Sequence, residues 1–520
     1  MEKENRKKVF DIIKKVLKWT SFPLEFLLSV FVIKQIFDIL VTKSYNGYYP
    51  LDKIIYTGIV GIFLLAIMIY IGIKNKKSIE KWFLLIAIPI SIAYAIFMLP
   101  LNVPDEGTHI MKAYDIAFGN ILTQIDEEGN SYAMIVKDLE NYSHTRFPNY
   151  KAVLDDAVGT TNYEENVKTV CAAQGSSPIL YIGTVIAINI GKILNMNIIY
   201  AIYLGRLFNI IIYLIFGYLT IRKIPFGKLL MTVYLCMPMM MQQAASCSSD
   251  AVLNATLIYY IAHLLYMTFK ETEATKKDKI LLYILTALVA MFKYVYILVA
   301  GILFITLFKN KENRKKNLKT IGIMVLIGSI FAIGWFAFTS RYKSSPDVVA
   351  EYNKTANVDG GKQMQFIMEN PLKFIKTIAK EYIVYGASYI FGAIGSSLGW
   401  LNVNVDMSII VPYLIILIFA TISEKSKYEF SNKSKIWIIV LILAISLLLK
   451  VSMYLLFTPV GLNRVAGVQG RYYTPILFLA LLCLVKKDSN WEIKNATQKM
   501  MILSAILNIS TLVVIFQNYI

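Results

Sequence analysis

Two adjacent carboxylates and a histidine open the longest polar segment of the chain. Residues 101–120 read LNVPDEGTHIMKAYDIAFGN, so Asp105, Glu106 and His109 follow an apolar run that ends in Met98, Leu99 and Pro100. A helix begun at Pro104 puts Asp105 and His109 four residues apart on one face, with Glu106 beside them. Carboxylates and an imidazole at a membrane boundary are the groups that proton transfer or metal-assisted chemistry uses. Asp105 or Glu106 can equally be a helix cap, favoured by the positive end of the helix dipole. Paired acids are compatible with a divalent metal, but no ligand set is legible and no cofactor is implied with certainty.

Further polar groups stand at the ends of apolar runs. Arg206, in AIYLGRLFNII, lies about eight residues into its helix, roughly 12 Å at 1.5 Å per residue. An arginine at that depth is costly unless it is paired or snorkels to the headgroups. The segment PMMMQQAASCSSDA brings Gln242, Gln243, Ser246 and Asp250 to one helix end, where Ser248 or Asp250 can also cap the next helix. Lys293 sits at the tip between two short apolar stretches. TPVGLNRVAGVQGRYYTP supplies Arg464, Gln469, Arg471, Tyr472 and Tyr473 between two spans. Guanidinium groups there can hold a phosphate bidentately. Carboxylates and cations gathered on one side fit an anionic phosphate donor and a hydroxyl acceptor.

The elements that must position these groups are membrane helices. Hydrophobic residues make up 57% of the 520-residue chain and the mean hydropathy is +0.55. Apolar runs of about 20 residues alternate with short Lys-rich segments, the pattern of a polytopic helical membrane protein. The net charge of +19 then belongs to loops facing anionic lipid, not to nucleic-acid binding. The four cysteines have no metal-type spacing and form no disulfide framework. No Walker A sequence or nucleophile elbow is present, and no cleavable signal peptide is expected.

The expected order is a basic amphipathic helix at the N-terminus, then spans near 20–42, 54–73 and 82–101, the first interrupted by Glu25, Lys34 and Asp38. Residues 102–177 form a long loop with 12 acidic and 5 basic residues, an excess that argues for the extracytoplasmic side. Within it, 107–119 can form an amphipathic helix. Pro178–Leu194 is expected to lie along the surface, because its crossing would put Arg222, Lys223 and Lys228 outside. Further spans follow near 198–221, 226–244, 251–269, a short hairpin of 280–292 and 295–308, then 319–339, 407–423, 436–457, 473–485 and 500–519. That gives 13 crossings, with the Lys-rich loops 270–279, 309–319, 424–435 and 486–499 inside. The chain thus divides into 1–101, the acidic loop and surface helices 102–197, central helices 198–339, a second extracytoplasmic segment 340–406, and C-terminal helices 407–520. The fold class is all-α.

PDEGTH with KAYDIAFGN, then SPILY, GRLFN, QQAASCSSDA, FKY and QGRYYTP, resembles a family of uncharacterised bacterial multispanning proteins often linked to cell-surface polysaccharide synthesis. The resemblance runs from about residue 82 to 485. That family in turn resembles the GT-C superfamily of membrane glycosyltransferases. The resemblance implies a catalytic carboxylate at Asp105 or Glu106. The residues themselves add two auxiliaries: His109, which can orient the carboxylate, bind acceptor or make a structural hydrogen bond, and Asp250, which can both cap its helix and assist. It also implies donor-phosphate contacts from Arg471 and Lys293, to which the residues add Arg206, Arg464 and Tyr472. The expectation is an inverting transferase in the bacterial plasma membrane, with an extracytoplasmic site. It would take a polyprenyl-phosphate-linked sugar as donor and a glycan, teichoic-type polymer or protein as acceptor. A flippase of lipid-linked saccharides, or a silent scaffold of a polysaccharide assembly complex, would use the same membrane architecture without bond breaking.

Overall fold

A computed structural model describes residues 78–519 apart from 128–129, 141, 143–145, 310–312, 342–354, 488–492 and 494, together with scattered positions between 29 and 57. The expected N-terminal amphipathic helix lies outside the described residues, and the spans at 20–42 and 54–73 touch them only at scattered positions. The chain is mostly helical. Among the described residues, six helices are long and apolar enough to cross a membrane. They are α1 (Ile79–Phe97), α5 (Ile198–Lys223), α8 (Asp250–Phe269), α10 (Arg314–Thr339), α15 (Asn432–Leu456) and α17 (Ala496–Tyr519).

Between α1 and α5 lie α2 (Glu106–Ala117), α3 (Tyr150–Asp156) and α4 (Ile182–Ile193), the last entered through a 3-10 turn at Pro178–Tyr181. The acidic segment also contains strands. β1 (Gln124–Ile125), β2 (Ser131–Val136) and β3 (Asn166–Thr169) form an antiparallel sheet with β2 in the centre. The all-α expectation is corrected to that extent. In SYAMIV the sheet-forming signal is a two-residue burial alternation too short to stand out in the sequence.

The single span expected at 226–244 is two helices, α6 (Lys228–Tyr234) and α7 (Pro238–Ala244). Pro238 has no N–H to continue α6 and drives Met237 to an extended ψ of 144°, so the helix stops and restarts. Likewise α9 (Lys276–Phe292) ends where Lys293 turns extended, at φ −161° and ψ 97°, and an 11-residue 3-10 run, Tyr294–Phe304, follows. The second long segment folds as α11 (Gly360–Glu369), α12 (Pro371–Ile383) and α13 (Gly386–Ile394), then a hairpin of β4 (Ser397–Leu398) and β5 (Val403–Asn404). α14 (Met407–Ile422) precedes α15, and a 3-10 turn, Gly470–Tyr473, leads into α16 (Thr474–Leu482). α8 is the most enclosed of the six long helices, and α10 is the most exposed.

Candidate active site

The two neighbouring carboxylates have opposite environments. Glu106, at the start of α2, is fully buried against Arg206 of α5, which is also fully buried. Arg206 Nε and Nη2 donate to Glu106 Oε1 and Oε2 at 2.9 and 2.6 Å. Nη2 also donates to the Leu99 carbonyl at 2.9 Å, and Nη1 donates to the carbonyls of Ala95 and Met98. A guanidinium has five N–H donors, and protein acceptors take all of them. The Glu106 oxygens accept in addition from the backbone N–H groups of Leu101 and Cys247, each at 2.9 Å. This clamp ties the end of α1, the start of α2, α5 and the turn before α8 to one point. Arg206, expected at the donor phosphate, has no donor left for one, so that expectation is corrected: it holds the loop in shape.

Asp105 faces the other way. It is the N-cap of α2 in position only, because its side chain accepts no capping bond. Its backbone is left-handed, φ 63° and ψ 6°, a conformation that costs a non-glycine residue about 1–2 kcal/mol and that Asp tolerates better than most. That geometry swings the carboxylate toward the Gly470–Tyr473 turn. Oδ2 accepts from Arg471 Nη2 at 2.8 Å, with the side chain 47% exposed. Among the described residues, Oδ1 accepts no hydrogen bond.

Arg471 is the hub. Besides Asp105 it pairs with Asp250 of α8 at 3.4 Å, and it donates to the Pro104 carbonyl at 3.3 Å and to the Tyr472 hydroxyl at 3.4 Å. Its Nε has no partner among the described residues, and neither do Gln243 Oε1 and Gln469 Oε1. These three residues, with Pro104, Gln242 and Gly399, line a cavity of about 20 Å³, the size of one small polar group. The turn reaches this position because Gly470 packs on Gly392 of α13: a Cβ on Gly470 would come within 2.3 Å of the Gly392 carbonyl carbon.

His109 joins the group from the next turn of α2. Its Nδ1 bonds the Tyr181 hydroxyl at 2.7 Å and its Nε2 the Ser249 hydroxyl at 3.3 Å. Burial pushes its pKa below the ordinary histidine value, Asp105 and Asp250 oppose this, and Arg471 and Lys293 add to it. Lys293 lies with its ammonium 4.3 Å from the Tyr472 ring centre and 5.6 Å from that of Tyr296. Among the described residues it has no carboxylate within ion-pair distance, so its charge is held by aromatic faces. Arg464 is exposed and lies over Tyr385 at 5.8 Å, and among the described residues no hydrogen bond or ion pair joins it to Asp105 or Arg471. Among the described residues no three His, Cys, Asp or Glu side chains gather as metal ligands.

The supports for this loop are residues that the sequence does not flag. The Asn102 side chain exchanges two hydrogen bonds with the backbone of Phe147, at 2.9 and 3.0 Å, and Trp400 Nε1 donates to the Leu101 carbonyl at 3.1 Å. Behind α2, Lys112 donates to Gln174 at 2.7 Å, and Asp115 accepts from the Met134 N–H at 3.0 Å. These bonds pin α2 to the sheet, and thereby fix where Asp105 points.

A family model described as a predicted membrane protein, DUF2142, matches residues 89–480. The chain belongs to that family. The matched span includes all the residues of the clamp and the Arg471 hub, so the site is part of the DUF2142 region and not an addition to it. No curated protein and no solved structure matches the chain.

Proposed function

We propose that this DUF2142 chain is an inverting glycosyltransferase that takes its sugar from a polyprenyl phosphate. The observation that carries the proposal is Asp105, whose Oδ2 is held by Arg471 while, among the described residues, Oδ1 accepts no hydrogen bond; the Lys293 ammonium lies over the ring of Tyr472, the chain neighbour of Arg471. In this mechanism Oδ1 takes the proton of an acceptor hydroxyl as its oxygen forms a bond to the anomeric carbon. The bond from that carbon to the phosphate oxygen breaks on the opposite face, and the electron pair leaves with polyprenyl phosphate. Negative charge grows on the departing phosphate, where the fixed cations Arg471 and Lys293 stabilise it most. Asp250 shares Arg471 and keeps the guanidinium oriented, and His109 stays neutral and links α2 to Tyr181 and Ser249. Glu106 and Arg206 position the loop and touch no substrate.

In the same proposal the membrane is crossed 13 times. The acidic loop and the site face the extracytoplasmic side of a bacterial plasma membrane, which the Lys-rich loops between spans support. The acceptor is a cell-envelope glycan, teichoic-type polymer or protein. The test is to reconstitute the protein with short-chain polyprenyl-phosphate sugars and an envelope acceptor extract, and to follow release of polyprenyl phosphate. Release is the expected result. Movement of lipid-linked saccharide across the bilayer without release would replace this proposal with a flippase, and silence in both assays would favour the scaffold.

A further inference from the structure

α12 presents three different faces. Phe374, Thr377, Ile378 and Glu381 turn toward the protein: Ile378 packs with Tyr454 and Val465, and the Phe374 ring lies 5.5 Å from the Tyr454 ring. On the opposite side Leu372, Ile375 and Ile383 are 73%, 59% and 82% exposed. Next to that apolar stripe, at 3.6 residues per turn, Lys373, Lys376 and Lys380 form an exposed basic stripe.

The depth of this helix follows from its partner. Tyr454 is two residues from the end of α15 at Leu456, and α15 is one of the helices long and apolar enough to span. The end of a span marks the boundary between acyl chains and headgroups. A helix docked there with an unpartnered apolar stripe and lysines beside it has the form of an interfacial helix. Its lysines sit where anionic phosphates lie.

The inner face leads to the site. Buried Glu381 accepts from the Val465 N–H at 2.9 Å and from the Tyr389 hydroxyl at 2.5 Å. The Tyr389 ring stacks on Tyr473 at 5.0 Å and 8°, within the turn that carries Arg471.

We infer that α12 is a docking surface for an anionic phospholipid leaflet. Its apolar stripe enters the acyl boundary, Lys373, Lys376 and Lys380 hold anionic headgroups, and Glu381 and Tyr389 carry that anchorage to the Gly470–Tyr473 turn. This inference stands on packing and charge and does not depend on the glycosyl-transfer proposal.

The test uses the full chain with Cys483→Ser and Ile375→Cys, because the other three cysteines are buried. A bimane probe on the introduced thiol is quenched in nanodiscs by shallow doxyl-labelled phosphatidylglycerol or phosphatidylcholine, and by aqueous iodide. The expected result is strong lipid quenching and weak iodide quenching. Phosphatidylglycerol should be favoured at least about fivefold, the effect of a single lysine near an anionic surface. That preference should disappear in the Lys373→Gln, Lys376→Gln, Lys380→Gln triple variant. Iodide quenching without lipid quenching would place the stripe in water and overturn the inference. Protection from both quenchers would overturn it too, by showing that protein covers the stripe, and equal quenching by the two lipids would remove the lysines' role.

Discussion

Glu106→Gln and Asp105→Asn are adjacent, chemically identical changes that the structure separates. In Glu106, two carboxylate oxygens accept four donors: Arg206 Nε, Arg206 Nη2 and the N–H groups of Leu101 and Cys247. Glutamine keeps one acceptor oxygen and turns the other into an NH2, so two of those donors lose their acceptor. At about 1–3 kcal/mol for each buried unsatisfied group, the loss is about 2–6 kcal/mol. Counting the same change as one partner removed from a buried ion pair gives about 3–5 kcal/mol. Asp105 is half-exposed and engages one donor through one oxygen, so Asp105→Asn costs at most about 1 kcal/mol. Scanning fluorimetry of both variants in one detergent is the assay. The expected order is wild type and Asp105→Asn together, with Glu106→Gln clearly lower or failing to fold. A Glu106→Gln protein that melts with the wild type, or an Asp105→Asn protein that falls as far, would refute the division of labour between the two acids.

Other consequences are open to measurement. Lys293→Gln removes a cation that makes no ion pair among the described residues, so the KM for a polyprenyl-phosphate donor should rise about tenfold with the melting temperature unchanged. A drop in melting temperature with unchanged KM would make Lys293 a packing residue. His109 takes a proton less readily in the folded chain than in the unfolded one, so the unfolded state binds more protons as pH falls below about 6.5 and stability declines there. His109→Gln should flatten that decline in melting curves recorded across the pH range. Parallel slopes for the two proteins would contradict it.

The membrane helices were legible because a span needs a long apolar run, and that signal survives in a single sequence. Ile79–Phe97, Ile198–Lys223 and Ala496–Tyr519 all fall close to the runs read from composition. The break at Pro238 was visible in principle, since proline announces its own interruption, but the surrounding methionines disguised two helices as one. Asp105, Asp250, Lys293 and Arg471 were recognisable as polar groups at helix ends, and the structure brings them together. What a sequence cannot carry is which acid meets which base. Glu106 and Arg206 are 100 residues apart, and only the fold decides that they spend their charges on each other. The capping alternative for Asp105 likewise turned on a backbone dihedral, φ 63°, that no neighbouring residue type dictates. Asn102 and Gln174 were invisible because their role is to bond backbone and buried side chains brought near by folding.

The central claim is that the open oxygen of Asp105 does chemistry. The direct measurement is the rate of polyprenyl phosphate release by reconstituted wild type and Asp105→Asn, once equal melting temperatures have been established. A general base contributes about 10²–10⁴-fold, so release should fall at least about 100-fold while donor binding persists. Release by Asp105→Asn at the wild-type rate would contradict the account.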